Sequence, residues 1–302
     1  MDGTLLNSNH ELSPSSLNTL RELSDKGVVV TLATGRSGPA LYRFVKQLNL
    51  PLPLPTVCYN GASCRIFPPH PKDPSKEQTV LFETPLDEDA VQDVLNLAEK
   101  LNCMAQYYVG DDIFVVCKTV AHQNFVKRYH ELTGANHSFL DSYDNIVTTR
   151  GLPSKILLMT NDLDTVVEAA EQLQESKNKK TTFNIIRGTP PFFVEFLDEK
   201  TCKGRGLIKL CEKMNISIKN CISFGDGDND IEMLKYSGCG VVMCNAKEHV
   251  KKYGNIITSK TNNQDGVTHE LIKFNQNGQL VSANSKIQLK NLLKSNRGEF
   301  SE

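Results

Sequence analysis

Three carboxylates stand within five residues in the segment Gly225-Asp226-Gly227-Asp228-Asn229-Asp230, which directly follows an apolar run ending at Phe224. Like charges this close repel one another, so such clusters are typical of sites where a cation neutralises them. Oxygen ligands at the end of a strand suit Mg²⁺, which binds through one or two carboxylates. A solvated acidic turn is the alternative. A calcium EF-hand fits poorly, because its sixth and twelfth positions need glycine and glutamate and here hold Ile231 and Ser237.

Two further segments place polar groups at the start of predicted helices. Ala33-Thr34-Gly35-Arg36 precedes a helix, and a hydroxyl with backbone N–H groups at a helix N-terminus can bind an anion. Lys203-Gly204 opens another predicted helix, where a lysine opposes the helix dipole and is better explained by an anionic partner. Each has a plainer interpretation, a strand-to-helix turn for the first and a solvated lysine for the second.

A fourth segment, Asp2-Gly3-Thr4-Leu5-Leu6, opens the sequence, and Asp-Gly by itself is typical of a turn. With the other three segments it resembles the haloacid dehalogenase superfamily of phosphatases, most closely the Cof-like branch with an α/β cap inserted after the second motif. The family's motifs are D-x-D-G-T, a Thr or Ser, a Lys and G-D-x-x-N-D, and they are matched by the segment at Asp2, by Thr34, by Lys203 and by residues 225–230. Further Cof-like features are Asn60-Gly61-Ala62, Asn245-Ala246 and Asp265-Gly266-Val267, and the resemblance covers about residues 1–273.

This resemblance implies a role for each matched residue. Asp2 would protonate the leaving alcohol and later activate water, while its backbone carbonyl contacts Mg²⁺. Thr34 and Lys203 would hold the phosphoryl oxygens, where charge must be neutralised for transfer. The predicted catalytic residues are Asp2, Thr34 and Lys203, the predicted metal-binding residues are Asp2, Asp226 and Asp230, and the predicted substrate-binding residues are Gly35, Arg36, Asn60, Gly61 and Asn229.

The family's nucleophile is the first aspartate of D-x-D, which attacks phosphorus and forms an aspartyl phosphate. With Asp2 as the second aspartate and Met1 as the variable residue, that nucleophile belongs immediately before Met1. The resemblance therefore implies that the nucleophile and the first core strand are missing, through an internal methionine taken as the start or a fragment of a longer product. We expect residues 1–302 by themselves to be inactive and loosely packed, because the missing strand is central in the family's sheet.

The remaining pattern predicts an α/β protein, and the resemblance adds a Rossmann-like parallel sheet with an inserted α/β cap. Ser13-Pro14 begins a helix that Gly27 ends, and the apolar run 28–33 is typical of a strand buried on both faces of a parallel sheet. The predicted regions are a core at 1–82 and 191–273, a cap at 83–190 with a solvated basic turn at 177–180, and a polar tail at 274–302 that allows a short helix near 287–293.

Composition gives the broad class of the protein. The 302 residues carry a net charge of −1, with 39% hydrophobic and 23% charged residues, which is typical of a globular protein and indicates neither nucleic-acid nor membrane binding. The nine cysteines are scattered without a C-x-x-C pair, which favours a reducing compartment over a disulfide framework or a zinc site. We expect a cytoplasmic protein, unless a targeting segment lies upstream of Met1.

The combined prediction is Mg²⁺-dependent hydrolysis of small phosphorylated metabolites, such as sugar phosphates or nucleotide-like compounds. The alternative is a non-catalytic relative that binds phosphate or sugar phosphate. A catalytic ancestor or parent protein is favoured by the retention of Asp2, Thr34, Lys203, Asp226 and Asp230, because a binding protein needs no acid–base aspartate. A phosphotransferase such as a mutase is a third hypothesis, which the large cap makes less favourable. The physiological substrate and the oligomeric state do not follow from the sequence.

Overall fold

The computed structural model describes residues 1–176, 182–188 and 191–280. The chain divides into two compact units, which we call the core unit (Met1–Phe82 with Cys202–Glu302) and the inserted unit (Glu83–Thr201). The turn predicted at 177–180 and the helix allowed near 287–293 lie outside the described residues. Within the described ranges, no helix combines the length and the apolar character that a membrane crossing requires.

Helices and strands alternate along the described chain. The α-helices are α1 Pro14–Asp25, α2 Tyr42–Leu48, α3 Pro74–Glu77, α4 Glu88–Lys100, α5 Val120–Thr133, α6 Ile146–Arg150, α7 Leu163–Glu175, α8 Lys203–Lys213, α9 Ile231–Tyr236, α10 Glu248–Lys251 and α11 Gly266–Gln276. The strands are β1 Leu32–Ala33, β2 Leu54–Cys58, β3 Ser63–Phe67, β4 Thr79–Glu83, β5 Met104–Val109, β6 Asp112–Val115, β7 Ser138–Phe139, β8 Lys155–Met159, β9 Phe183–Arg187, β10 Phe193–Asp198, β11 Ile222–Gly225, β12 Cys239–Val242 and β13 Ile256–Ile257. This alternation confirms the predicted α/β class.

Helix α1 forms as the sequence predicts. The Ser13 hydroxyl accepts a hydrogen bond of 3.0 Å from the amide three residues later, and Pro14 occupies the first helical position, where an N–H is not needed. Gly27 follows the helix with a φ of 91°, a conformation that favours glycine. The strand predicted over residues 28–33 is shorter than expected, since regular pairing with β2 covers only Leu32–Ala33 among the described residues.

The described residues of the core unit form two sheets. One has the order β1-β2-β3-β4, with β1 parallel to β2 and β2 antiparallel to β3, and the other has the parallel order β11-β12-β13. Residues 28–33 and 221–224 line a shared cavity of about 810 Å³. The predicted continuous parallel sheet is therefore divided into two in the described structure. That a further strand precedes Asp2 stays a prediction.

Helix α8 lies close to the first sheet. Leu207 and Leu210 join Val57 of β2 in one buried apolar cluster. A Cβ atom at Gly206 would lie 2.7 Å from a methyl carbon of Val57, so only glycine allows the helix to come this near. The contact fixes the start of α8, where Lys203 lies, against the 3₁₀ turn Tyr59–Gly61.

The inserted unit contains a six-stranded sheet with the order β7-β6-β5-β8-β10-β9. The C-terminal end of this unit differs from the cap boundary predicted at residue 190. Strand β10 pairs with β8 on one side and with β9 on the other, so the unit continues to Thr201. The apolar sequence of β10 is compatible with a strand of the core unit or of the inserted unit. Only its hydrogen-bond partners decide to which unit it belongs.

The two faces of this sheet have different chemistry. Helices α4 and α7 cover one face, where Val94 and Val166 share an apolar cluster with Ile156. Lys155 lies on the opposite face, because side chains alternate along a strand. Its ammonium donates a hydrogen bond of 2.8 Å to Glu195, and both side chains are buried. Burial opposes the charge of Lys155, but Glu195 outweighs it and raises the pKa of Lys155 above its usual value.

Candidate active site

Polar residues of the core unit meet beside the ends of two strands and the start of one helix. Thr34 directly follows β1, and Asp226 directly follows β11. Lys203 is the first residue of α8, whose N-cap is Cys202. The 3₁₀ turn Asp228–Asp230 then leads from the acidic segment into α9.

Lys203 and Asp230 form a buried ion pair. The Nζ–Oδ1 distance is 2.7 Å, and 5% of each side chain is exposed. The other oxygen of Asp230 accepts hydrogen bonds from the backbone amides of Asp226 at 3.0 Å and Gly227 at 3.1 Å. Burial opposes the ionised form of Asp230, but the nearby Lys203 ammonium and these hydrogen bonds outweigh it and hold the pKa of Asp230 below its usual value. Asp230 therefore fixes both the lysine and the backbone of the acidic segment.

Asp226 lies against the opening segment of the chain. The Thr4 hydroxyl donates a hydrogen bond to its carboxylate. Gly3 has a φ of 67°, and a Cβ atom there would lie 2.1 Å from Asp226 Oδ2, so both backbone conformation and space require glycine. Burial, together with the neighbouring charge of Asp230, raises the pKa of Asp226 above its usual value. The glycine of the Asp-Gly-Thr segment thus allows the close approach of this carboxylate.

Asp2 is held by two side chains. Arg36 donates hydrogen bonds of 2.9 Å and 2.6 Å to its two oxygens, and His10 Nδ1 lies 2.7 Å from Oδ1. Arg36 was predicted as a substrate-binding residue, and the structure places its guanidinium on the predicted acid–base group instead. Burial would raise the pKa of Asp2, but the hydrogen bonds and charge of Arg36 outweigh burial and hold that pKa well below its usual range.

The predicted substrate-binding residues also meet one another. Asn60 has a left-handed φ of 51°, and its amide donates to the Thr34 carbonyl at 3.0 Å. Its side-chain oxygen accepts a hydrogen bond of 2.8 Å from Asn229. A Cβ atom at Gly35 would lie 2.9 Å from the Asn60 side chain, and one at Gly61, where φ is 109°, would lie 2.2 Å from a backbone oxygen. Asn60 therefore links the segment after β1 to the acidic segment after β11.

Three carboxylates and one ammonium group are thus gathered beside these strand ends in the described structure. We call Asp2, Asp226, Asp230 and Lys203 the cluster.

The cluster offers oxygen ligands for a cation. Within the described ranges, no group of three or more His, Cys, Asp or Glu side chains is arranged to hold a metal ion. Mg²⁺ needs only one or two carboxylates, with water and phosphate oxygens completing its shell. Two of the predicted metal-binding residues have other partners, since Asp2 bonds with Arg36 and Asp230 with Lys203. In the described structure, the partly buried carboxylate of Asp226 accepts no hydrogen bond from a lysine or an arginine. Asp226 therefore fits Mg²⁺ best.

Sequence reasoning missed one residue beside this cluster, His10, and gave no role to a second, Asn245. His10 reaches Asp2 because Asn7 accepts hydrogen bonds from the amides of Asn9 and Glu11, which turns the chain back. The turn-forming composition of residues 7–9 was the available signal. Asn245, noted only as a family feature, donates a hydrogen bond of 2.8 Å to the Gly3 carbonyl and so supports the turn beside Asp226.

Residues 1–271 match the family of haloacid dehalogenase-like hydrolases. This chain is a haloacid dehalogenase-like hydrolase. The match spans all four segments described above, which confirms the predicted family and makes the chain a phosphatase by family. The superfamily is generally dependent on a metal ion.

Individual relatives of this haloacid dehalogenase-like hydrolase span nearly its whole length. The 5-amino-6-(5-phospho-D-ribitylamino)uracil phosphatase YitU of Bacillus subtilis is 28% identical over 277 residues, covering 91% of this chain and 95% of the relative. A haloacid dehalogenase-like hydrolase from Bacteroides thetaiotaomicron superposes with a TM-score of 0.74 at 26% identity, over 90% of this chain and 96% of that chain. TM0651 from Thermotoga maritima gives 0.73 at 26% identity, over 90% and 94%. These superpositions confirm the predicted fold class.

Proposed function

We propose that this hydrolase removes phosphate from small phosphorylated metabolites, with Mg²⁺ as cofactor and an aspartyl phosphate as intermediate. The observation that carries the proposal is the buried pair of Lys203 and Asp230 next to Asp226. A phosphate with its Mg²⁺ needs a cationic group for its oxygens and a carboxylate for the metal, both fixed in advance. Lys203 supplies the first and Asp226 the second.

Thr34 completes the anion side of the site. Its hydroxyl oxygen accepts a hydrogen bond of 3.1 Å from the Arg36 amide, which orients the hydroxyl to donate its own proton to a phosphoryl oxygen. Lys203 would neutralise a second phosphoryl oxygen. When bound, Mg²⁺ would supply further neutralisation of the transferring group. Asp226 and the backbone carbonyl of Asp2 would hold it.

Asp2 is the proposed acid–base group, and it has to exchange a proton with the leaving alcohol. Paired with Arg36 and His10, Asp2 is a carboxylate. We propose that the phosphorylated substrate attracts the Arg36 guanidinium and so releases one oxygen of Asp2. This keeps the substrate-binding role predicted for Arg36 and gives it a second effect, the control of when Asp2 can take up a proton.

The nucleophile is the remaining requirement. In the described structure, the carboxylates of this cluster are Asp2, Asp226 and Asp230, and the proposal gives each of them another role, as acid–base group, metal ligand and partner of Lys203. We therefore expect residues 1–302 by themselves to bind phosphate rather than to hydrolyse phosphomonoesters. A protein that carries an aspartate ahead of Met1, in the position of the family's nucleophile, should hydrolyse them.

The substrate class is proposed from the relatives. The Bacillus subtilis relative is a phosphatase of a ribitylamino-uracil phosphate, a phosphate monoester on a polyol chain. We propose sugar-like or nucleotide-like phosphomonoesters for this chain. The second candidate function is binding of such compounds without hydrolysis. It is favoured because Arg36 and His10 both bind Asp2, which opposes its use as an acid–base group.

A comparison of two proteins tests both functions. Residues 1–302 and the same chain extended upstream by a strand that ends in Asp directly before Met1 would be assayed with sugar phosphates, nucleotides, flavin mononucleotide and pyridoxal phosphate, with Mg²⁺ and with chelator. We expect Mg²⁺-dependent phosphate release by the extended protein alone. Binding of inorganic phosphate without any turnover by either protein would favour the binding function. Turnover by residues 1–302 would show that the nucleophile is misassigned.

A further inference from the structure

Two cysteines of the core unit lie in direct contact at the far ends of the elements that carry the site. Cys211 belongs to the last turns of α8, and Cys221 immediately precedes β11. Their sulfur atoms are 3.5 Å apart. We propose that Cys211 and Cys221 form a reversible disulfide bond, which makes them a thiol-oxidation site of this protein.

The backbone between the two residues is already folded to bring them together. The amide of Ile216 donates to the Cys211 carbonyl at 2.9 Å, and the amide of Cys221 donates to the Ile218 carbonyl at 3.1 Å. A disulfide has a sulfur–sulfur distance of about 2.05 Å, so the sulfurs need to approach by about 1.5 Å. Rotation of the two cysteine side chains supplies a movement of this size without refolding of the turn.

The pair is within reach of a small oxidant. Cys221 is half-buried, Cys211 is buried, and both side chains line the 810 Å³ cavity between the two core sheets. The hydrogen bond that Cys211 can donate holds the pKa of Cys221 below its usual value. Cys221 is therefore the thiol that attacks first, and Cys211 is the resolving thiol.

With a low-molecular-weight disulfide as oxidant, the reaction proceeds in two exchanges. The Cys221 thiolate attacks one sulfur of the oxidant, which releases one thiolate and leaves a mixed disulfide on Cys221. Cys211 then attacks the Cys221 sulfur and releases the second thiolate. The two protein thiols lose two electrons, the oxidant gains them, and the two protons pass to the released thiolates.

The bond would connect the end of α8 to the start of β11. These elements present Lys203 at the start of α8 and Asp226 after the end of β11, so the crosslink would fix the scaffold behind both groups. Its formation does not depend on the proposed phosphatase reaction, and neither does its detection.

Mass spectrometry of residues 1–302 treated with oxidised glutathione tests the proposal. Free thiols are alkylated, and the protein is digested with trypsin without reduction. Cleavage after lysine places Cys211 in peptide 210–213 and Cys221 in peptide 220–235, and neither peptide holds another cysteine. We expect these two peptides to appear linked, with two hydrogens lost, and to separate on addition of dithiothreitol.

Variants give matched controls. Cys221→Ser and Cys211→Ala should each abolish the linked product, whereas Cys239→Ser should keep it. Cys239 is a suitable control because it contacts Cys221 through its own backbone amide, at 3.2 Å from the Cys221 carbonyl. Near-identical circular dichroism of the variants and the parent chain checks that the fold is kept. A stable glutathione adduct on Cys221 without the linked peptide, a Cys221–Cys239 link, or full alkylation of both thiols would each overturn the proposal.

Discussion

Arg36 binds both oxygens of Asp2 through one guanidinium, at 2.9 Å and 2.6 Å. An arginine that binds a carboxylate with two parallel hydrogen bonds stabilises its ionised form strongly and fixes its orientation. The pKa of Asp2 lies well below its usual range for this reason, in spite of partial burial. A carboxylate held in this way takes up a proton less readily while the arginine is in place, so proton uptake by Asp2 should depend on the position of the Arg36 side chain.

Replacement of Arg36 should release Asp2. In Arg36→Ala we expect the pKa of the Asp2 carboxyl to rise, because the hydrogen bonds and the charge of Arg36 lower it. A ¹³C NMR titration of the aspartate carboxyls would measure the change. Arg205→Ala, which removes an exposed arginine on α8, is the control and should leave the pKa of the Asp2 carboxyl unchanged. An unchanged Asp2 titration in Arg36→Ala would contradict the pairing.

The same pair predicts how stability depends on pH. Since the folded pKa of Asp2 lies below its unfolded value, the pairing stabilises the fold above the unfolded pKa, which is about 3.9. This contribution is lost as the pH falls through the folded pKa. The difference in unfolding free energy between the parent chain and Arg36→Ala should therefore be constant near neutral pH and shrink below about pH 4. Urea unfolding at several pH values measures it, and a difference that grows on acidification would exclude this origin.

Removal of Lys203 should destabilise the core unit and weaken phosphate binding. Lys203→Met leaves the Asp230 charge buried without its cation, which typically costs about 3–5 kcal/mol. The double variant Lys203→Met/Asp230→Asn should recover part of this loss, because no unpaired charge remains. Urea unfolding and calorimetric titration with inorganic phosphate would report both effects. Lys213→Ala, an exposed lysine on the same helix, is the control, and equal effects of both lysines would contradict the assignment.

Asp226 should be the carboxylate through which Mg²⁺ acts. In a protein extended to include the nucleophile, Asp226→Asn should lower kcat/KM roughly tenfold or more, which is about 1.4 kcal/mol of transition-state stabilisation. Asp228→Asn is the matched control, since Asp228 belongs to the same acidic segment but its side chain is 61% exposed and pairs with His249. The assignment fails if saturating Mg²⁺ restores full activity to Asp226→Asn, or if Asp228→Asn loses as much.

Gly61 offers a test of the packing behind the site. Gly61→Ala would combine a φ of 109° with a Cβ atom 2.2 Å from the Cys202 carbonyl oxygen. Gly134→Ala has a positive φ of 74° but meets no atom within 4 Å. We expect Gly134→Ala to cost about 1 kcal/mol, as a left-handed residue does, and Gly61→Ala to cost clearly more. Thermal unfolding of both variants measures the difference, and equal losses would show that space at Gly61 is not limiting.

The sequence predicted the fold where local patterns decide structure. The cap at Ser13-Pro14 and the strand before the acidic segment appear as expected, because caps and short apolar runs act over a few residues. The domain boundary at 190 was missed, since the membership of β10 depends on hydrogen bonds to β8 and β9 that lie far from it in sequence. The pairing of strands in a sheet is a tertiary property, so it does not follow from local patterns in one sequence.

The site could be predicted in outline and not in its contacts. Motif order brought together Thr34, Lys203, Asp226 and Asp230, and their positions beside β1, β11 and α8 follow from the alternation of elements. The partners of Asp2 could not be foreseen. Its ion pair with Arg36 spans 34 residues, and its contact with His10 depends on a turn held by one asparagine side chain.

The division of the core sheets also has a consequence for how the molecule opens. Residues 28–31 border the cavity, are half-buried and lie outside the regular pairing, whereas β8 of the inserted unit has paired neighbours on both sides. Amide hydrogen exchange occurs through local openings whose free energy falls where the backbone has few structural partners. Deuterium should therefore enter the backbone amides of residues 29–31 long before those of Ile156–Leu158. The segment that leads to Thr34 then opens more easily than β8, and a ligand bound across the cavity would slow its exchange.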